Sequence, residues 1–317
     1  MNFSMRTNGK LLLTGEYFVT EGAVALALPT NLGQELSVTS NPEGEAATLH
    51  WDSCDSEGNV WFSAKFELPK MDILEVEEDK EMKDLATNLQ DLLKAARALN
   101  SKFLKSDEAL YAKTTLEFPR DWGLGSSSTL VTMVAQWADV DPFELLEKTF
   151  GGSGYDLVAA TADGPLLFQK FNGKNRWDKS GFNPSFKEQL YFVHLGKKQS
   201  SKEALVYYMV TPPDEREKPM GRITQITYDI AKYTDSLEQF EELIAEHEEL
   251  VQSIIKHPRA KEEYFGDYWG EVKSLGAWGG DFVLATSDRS EDETKAYFQG
   301  KGFETVLTYS EMIKEYE

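Results

Sequence analysis

The sequence is poor in the residues that build disulfide scaffolds and metal clusters. Its 317 residues include one cysteine, Cys54, and four histidines, His50, His194, His247 and His257. A single cysteine excludes an internal disulfide and a cysteine-based zinc cluster, and it fits a reducing cytoplasm. The histidines show no H-x-x-x-H spacing, so a histidine metal site is not expected.

Positive charge and long apolar runs are also scarce. Lysine and arginine number 33 against 54 acidic residues, which gives a net charge of −21. This excess of acid argues against general nucleic-acid binding and against adhesion to an anionic membrane, because both need a basic face. No apolar run approaches the roughly 18 residues that cross a bilayer, and the N-terminus does not resemble a secretory signal. We therefore expect a globular, soluble protein.

The pattern of apolar residues predicts an α+β protein with two domains, 1–186 and 187–317. Strands are expected at both ends of a glycine-centred turn near Gly15, again at "QELSVTS", and in a hairpin that turns near Gly58 and Asn59. A helical stripe follows, formed by Leu85, Leu89, Leu92, Leu93, Ala96 and Leu99. From about Leu190 strands and long helices alternate. In the helix over 237–256 the glutamates are expected to face water, with His247 at the surface or boundary.

One stretch, "WGLGSSSTLV" from Trp122 to Val131, places glycines and hydroxyl residues directly before a predicted core helix. Serine is a good N-cap, so the stretch can be a helix start and nothing more. A glycine-rich loop joined to a helix N-terminus also forms a phosphate site. The stretch alone does not decide between the two interpretations.

Two further glycine-rich turns, "NGKLLLTGEY" and "KSLGAWGGDF", accompany this stretch, as does "GGSGYD". The chain contains no G-x-x-x-x-G-K-[ST], no G-x-G-x-x-G and no G-x-S-x-G, which excludes a Walker P-loop, a dinucleotide fingerprint and a nucleophile elbow. In chain order, the three turns resemble the three motifs of the GHMP kinases, the superfamily of galactokinase, homoserine kinase, mevalonate kinase and phosphomevalonate kinase. P-x-x-x-G-L-G-S-S is matched in full from Pro119, whereas Asn8 replaces the usual proline of the first motif and Trp278 replaces a flexible position of the third.

This resemblance implies a two-domain GHMP fold, with an N-terminal domain like domain 2 of ribosomal protein S5 and a ferredoxin-like C-terminal domain. It also implies ATP and Mg²⁺ as cofactors. The implied nucleotide-binding residues are Gly123, Leu124, Gly125, Ser126, Ser127, Ser128, Gly276 and Gly279. Ser127 matches the family's metal-binding serine, and Glu147 matches its second metal ligand if the following turn is two residues shorter. Asp156, in the family turn S-G-x-D, is the implied catalytic aspartate and Lys10 the lysine beside it.

An acidic phosphate-handling protein needs a local basic pocket, for which Arg120, Lys197, Lys198, Lys202 and Lys273 are candidates. For Lys10 the alternative is an exposed lysine at a strand end, and for Asp156 it is a turn or cap carboxylate. Whether Trp122 or Trp278 stacks on adenine or packs in the core stays open.

The substrate implied is a small acid of the mevalonate route. "GEY" and "SGYDLVAA" are similar to bacterial phosphomevalonate kinases and to a bacterial subgroup marked by a G-Y-D-[IL]-A-like turn. Glu16, Tyr17, Lys198, Ser200 and Ser201 are the candidate substrate residues. Two alternatives remain, a diphosphomevalonate decarboxylase and a non-catalytic nucleotide or metabolite sensor. No nucleic-acid or membrane partner is expected, and the sequence indicates no oligomeric state.

Overall fold

The computed structural model describes residues 2–41, 47–196, 202–233, 235–276, 278 and 280–316. These residues form two compact units. Unit 1 consists of Met1–Gly9, Leu32–Arg120 and Gly125–Thr161, and unit 2 of Lys10–Asn31, Asp121–Leu124 and Ala162–Glu317. This division differs from a single boundary at 186/187. The reason is strand pairing, because the chain after residue 161 returns to pair with Ala25–Ala27, far upstream in sequence.

Unit 1 is built on a sheet whose strands run in the order β5 (Ile73–Val76), β4 (Val60–Glu67), β3 (Thr48–Cys54), β6 (Ala109–Leu116) and β2 (Ala25–Asn41). The β3–β4 pair is the predicted hairpin, which the structure confirms, and β3 pairs in parallel with β6. The sequence indicated two strands where the structure has the single strand β2. It is continuous because its second half pairs with the whole of β6. A further strand, β1 (Asn2–Thr14), precedes them in the chain.

Four helices complete unit 1: α1 (Lys80–Leu99), α2 (Ser126–Ala138), α3 (Pro142–Lys148) and α4 (Tyr155–Thr161). Helix α1 buries Leu89, Leu92, Leu93 and Ala96 of its predicted stripe, while Leu85 and Leu99 are half-buried. Helix α2 is almost entirely buried, as predicted, and both α3 and α4 pack against it. This central position fixes the direction in which the N-terminus of α2 points.

Unit 2 contains the first half of β2, the hairpin β7 (Leu166–Phe171) and β8 (Lys174–Lys179), and an antiparallel sheet of order β10-β11-β9-β12. The strands of that sheet are β9 (Leu190–His194), β10 (Val272–Ser274), β11 (Phe282–Thr286) and β12 (Val306–Thr308). Its helices are α5 (Lys202–Val210), α6 (Pro213–Tyr233), α7 (Leu237–Ile255), α8 (Ala260–Tyr264), α9 (Glu291–Gly300) and α10 (Tyr309–Met312). The predicted α+β class is confirmed. Within the described ranges, no helix has the length and apolar character to cross a membrane.

Helix α7 corrects one expectation. The helical period predicts a core stripe of Leu237, Phe240, Ile244, Leu250, Val251, Ile254 and Ile255. All of these are buried except Leu237 and Leu250, which are half-buried. The surface assignment of His247 is wrong, because His247 is fully buried and so is its neighbour Glu248. Helix α7 packs against α5, α6 and β10, so these two polar side chains face the interior of unit 2.

Candidate active site

The N-terminus of α2 lacks the side-chain cap that the sequence had allowed for. Gly125, in the left-handed conformation at φ 90°, is the N-cap residue, and no side chain accepts a hydrogen bond there. Ser126, Ser127 and Ser128 follow as the first helical turn. Only the Ser128 hydroxyl bonds back to the chain, donating to the Gly125 carbonyl at 2.8 Å. The hydroxyls of Ser126 and Ser127 make no hydrogen bond within the part of the chain that the structure describes.

The other helices of unit 1 show what α2 leaves open. Asp79 caps α1 and Asp141 caps α3, each accepting two backbone N–H bonds, and α3 has Pro142 in its first position as predicted. Both helices also carry a glutamate in the first turn, whereas α2 has no acidic residue there. The first N–H groups of a helix have no partner within the helix, and the dipole makes that end positive. The serines are therefore not the cap, and the end of α2 is open to an anion.

A pocket of about 130 Å³ in unit 1 adjoins this helix end, with Ser127 and Leu130 of α2 in its wall. Four aromatic residues, Trp51, Trp61, Phe62 and Phe150, line it as well. The indole N–H of Trp61 is buried and has no hydrogen-bond partner among the described residues. The Arg120 guanidinium lies 3.7 Å from the centroid of the Trp61 ring and forms an ion pair with Glu81 at 3.2 Å. The pocket thus offers ring faces and one unused donor beside an anion-binding helix end.

Asp156 and Glu147 lie on the two short helices that pack against α2. Asp156, the second residue of α4, is half-buried and accepts only the Leu157 amide at 3.1 Å, with no cation paired to it within the described ranges. Glu147 is exposed on α3. Both Glu147 and Ser127 offer oxygen atoms, as Mg²⁺ requires, and this ion is commonly held by one or two side chains plus water and substrate phosphates. The described residues contain no group of three or more histidine, cysteine, aspartate or glutamate side chains that could hold a metal ion.

In unit 2, Lys10 is bound to the first half of the glycine-rich loop. Its backbone N–H donates to the Leu124 carbonyl at 2.9 Å, and its Nζ donates to the Gly123 carbonyl at 3.1 Å. It lies inside β1 and is half-buried, which disfavours the alternative of an exposed strand-end lysine. Gly123 has φ 66°, and a Cβ there would lie 2.3 Å from Asp281 Oδ2. Gly276 stands near the same carboxylate, so residues of all three motifs meet here.

The remaining predicted residues of unit 2 are held inside the protein. Glu16 is 2% exposed and its Oε1 accepts from Lys273 Nζ at 2.5 Å. Lys273 is fully buried, so it is not available to a phosphate as one of the basic candidates. The Tyr17 ring stacks on Tyr208 at 5.8 Å. Lys198, Ser200, Ser201 and Gly279 lie outside the described residues, as does Lys197.

Two tryptophans that the sequence left open pack within unit 2. Trp278 is 1% exposed in a cluster with Phe18 and Tyr208. Trp122 makes an edge contact with Phe282 at 5.3 Å and a tilted contact with His194 at 5.9 Å. Neither ring lines the pocket beside α2, whose aromatic residues the sequence analysis missed.

No protein-family model and no curated protein matches the sequence. The fold, in contrast, is similar to those of solved mevalonate kinase, phosphomevalonate kinase and galactokinase structures. The mevalonate kinase of Methanococcus jannaschii superposes with a TM-score of 0.71 at 17% identity, over 97% of both chains. A Streptococcus pneumoniae phosphomevalonate kinase in complex with phosphomevalonate and AMPPNP gives 0.63 at 15% identity, over 96% of this chain and 98% of that one. Lactococcus lactis galactokinase with galactose gives 0.65 at 12%, over 99% and 94%.

Proposed function

We propose that this chain is an ATP- and Mg²⁺-dependent kinase that transfers the γ-phosphoryl group to a small acid, mevalonate or phosphomevalonate. The observation that carries the proposal is the N-terminus of α2, which has glycine as its N-cap, no capping side chain and no acidic residue in the first turn. The S. pneumoniae enzyme of the same fold binds phosphomevalonate and an ATP analogue, which supports the choice of substrate class.

The nucleotide is proposed to bind along α2. Its phosphates accept from the backbone N–H groups of Ser126, Ser127 and Ser128, where the helix dipole favours negative charge. Its base enters the neighbouring pocket, stacks on the aromatic rings and satisfies the buried N–H of Trp61. A ring nitrogen of adenine is an acceptor that matches this donor.

Ser127 and Glu147 are proposed to hold Mg²⁺. When bound there, such an ion would neutralise part of the negative charge on the nucleotide phosphates. Both side chains are left without protein partners among the described residues, so neither has to give up an existing bond to take this role.

Asp156 is the proposed proton acceptor. A hydroxyl oxygen of mevalonate, or a phosphate oxygen of phosphomevalonate, attacks the γ-phosphorus; the bond to the ADP oxygen breaks, and the proton of an attacking hydroxyl passes to Asp156. Lys10 offsets the charge that develops on the transferred group. Tyr17, Lys198, Ser200 and Ser201 are proposed to contact the acid. Glu16 contributes by fixing the turn beside Tyr17, since its own carboxylate is buried against Lys273.

The test is ADP release by the purified protein with MgATP and each of mevalonate, phosphomevalonate, diphosphomevalonate, homoserine and galactose. Turnover with one of the first two acids is the expected result and would fix the substrate. Loss of CO₂ with diphosphomevalonate would instead identify a decarboxylase. ATP binding without turnover of any acid would contradict the kinase and support the sensor.

A further inference from the structure

Four ionisable side chains meet in the interior of unit 2. Glu16 follows β1, His247 and Glu248 lie on α7, and Lys273 lies on β10; each is between 0 and 2% exposed. Burying charge is expensive unless every group finds a partner, so such a cluster needs a reason to exist.

Lys273 is the centre of the cluster. Its Nζ donates to Glu16 Oε1 at 2.5 Å and to the Ser274 carbonyl at 2.9 Å, and it lies 3.6 Å from Glu248 Oε1. The Ser274 hydroxyl donates to Glu248 Oε2 at 3.1 Å. One cation faces two carboxyl groups, and it is closer to Glu16. Glu16 is therefore the closer ion-pair partner, and Lys273 opposes the rise of its pKa that burial causes. Burial raises the pKa of Glu248 to about 7, which favours its protonated form below that pH.

His247 takes part through an unusual bond. Its Nε2 accepts from the backbone N–H of Gly15 at 3.0 Å. A ring nitrogen that accepts carries no proton, so the imidazole is neutral and its proton is on Nδ1. Burial holds the pKa of His247 well below its usual value, in agreement. The approach of Nε2 to Glu16 Oε2 at 3.3 Å is thus a close contact and no ion pair.

The segment that these bonds hold is strained. Phe18 N–H donates to the Glu16 carbonyl at 2.7 Å, which closes a γ-turn with Tyr17 at its centre. Tyr17 has φ 63° and ψ −51°. This form of the γ-turn is rare, and a side-chain-bearing residue adopts it only where the surroundings enforce it. The bonds to Gly15 N–H and to the Glu16 carboxylate act on the two residues directly before Tyr17.

We propose that His247 and Lys273 are positioning residues that hold the Gly15–Glu16–Tyr17 turn in its strained conformation and so set the affinity for the phosphoryl acceptor. The consequence for the acceptor rests on the proposed function, in which Tyr17 contacts the acid. The effect of the two residues on the conformation of the turn does not depend on the proposed function. A purely stabilising role explains the cluster less well, since buried ion pairs stabilise no better than apolar residues of the same volume.

The test compares three variants in α7. His247→Leu removes the acceptor of the Gly15 N–H, and His247→Gln places an oxygen near the position of Nε2. Phe240→Leu is the control, because Phe240 is equally buried on the same helix but packs against Phe182 and Phe186, away from the turn. Amide hydrogen exchange of the peptide spanning Gly15 is measured together with KM for the acceptor and for ATP.

We expect the Gly15 amide of His247→Leu to exchange at least about tenfold faster than in the control, because a buried N–H loses its partner. The acceptor KM should rise by a similar factor, with KM for ATP unchanged, and His247→Gln should recover most of both losses. Exchange no faster than in Phe240→Leu would overturn the inference, as would faster exchange with an unchanged acceptor KM. A wild-type chain that turns over no acid would refute the proposed function. The exchange rate of the Gly15 amide would then still show whether His247 holds the turn in its conformation.

Discussion

The end of α2 in unit 1 and the buried cluster of unit 2 use polar residues in opposite ways. At the end of α2, the first helix amides have no capping side chain and two serine hydroxyls have no partner within the described residues. On α4, which packs against α2, the Asp156 carboxylate has no ion-pair partner within those residues either. In the cluster, Glu16, Glu248 and Lys273 bind one another out of contact with water. The first arrangement keeps its groups available to a ligand. The second holds the backbone directly before Tyr17, the residue proposed to contact the acid.

The largest effect should come from breaking the cluster. Lys273→Met leaves two buried carboxyl groups without their cation, and we expect the free energy of unfolding to fall by about 3–5 kcal/mol, measured by urea denaturation. Adding Glu16→Gln should restore part of the loss. Lys295→Met, which breaks an ion pair with Glu291 near the surface, is the matched control and should cost no more than about 1 kcal/mol. If both lysine variants lost the same unfolding free energy, the cluster would contribute no more to stability than an ion pair near the surface.

Substitutions at the proposed active site should have the opposite result: they should lower activity and leave stability unchanged. Asp156→Asn should lower kcat at least about 100-fold, because the proton acceptor is lost. Its unfolding free energy should stay within about 0.5 kcal/mol of wild type, because Asp156 makes no ion pair among the described residues and asparagine can still accept the Leu157 amide. Asp84→Asn, at an exposed site of α1, is the control in the same assay. Undiminished turnover by Asp156→Asn would remove Asp156 from the mechanism.

The pH dependence of stability should distinguish the contribution of Glu248 from that of His247. The raised pKa of Glu248, about 7 in the fold, means that the native state holds a proton that the unfolded state loses above about pH 4.5, so stability falls as pH rises to 7. The lowered pKa of His247 contributes a slope of the opposite sign. Below about pH 6.5 only the unfolded state binds a proton at this imidazole, so stability falls as pH falls. Glu16 and Lys273 are the charged groups that face both.

In wild type these two slopes oppose each other between about pH 5 and 6.5. Glu248→Gln should make the slope of unfolding free energy against pH more positive, and His247→Gln should make it more negative, each by up to about 1.4 kcal/mol per pH unit. Denaturation at four or five pH values in this window measures both. Parallel curves for the two variants would mean that neither group titrates differently in the fold.

The smallest effect concerns the pocket beside α2. Trp61→Phe keeps a ring but removes the N–H, and we expect KM for ATP to rise about three- to tenfold through loss of one hydrogen bond. KM for the acceptor should not change. Trp177→Phe, at an exposed position of β8, provides the comparison. A higher acceptor KM with an unchanged ATP KM would assign the pocket to the other substrate.

The part of the site that could be predicted is the part encoded by contiguous motifs. Gly125 to Ser128 were identified as a loop before a helix, because glycine and serine at a helix start have a local physical meaning. Trp51 and Trp61 were missed although their hairpin was predicted, since the pocket that they line also needs residues of α1 and α2, and that packing is not local. His247 and Glu248 were misassigned although their spacing from Ile244 and Val251 follows the helical period. Both were assigned to the surface because they are polar, although their position on the helix indicated burial. Their buried partner Lys273 lies on a distant strand and could not be predicted from the sequence.

The central claim is phosphoryl transfer at the end of α2, and an isotope experiment tests it most directly. The protein is incubated with Mg²⁺, ATP labelled with ¹⁸O in the γ-phosphoryl group, and the acid that supports turnover, and the products are followed by phosphorus NMR. The account predicts that the labelled phosphoryl group appears in a new phosphorylated acid in step with ADP. Label found only in inorganic phosphate, or ATP that binds and stays intact with every acid, would contradict it.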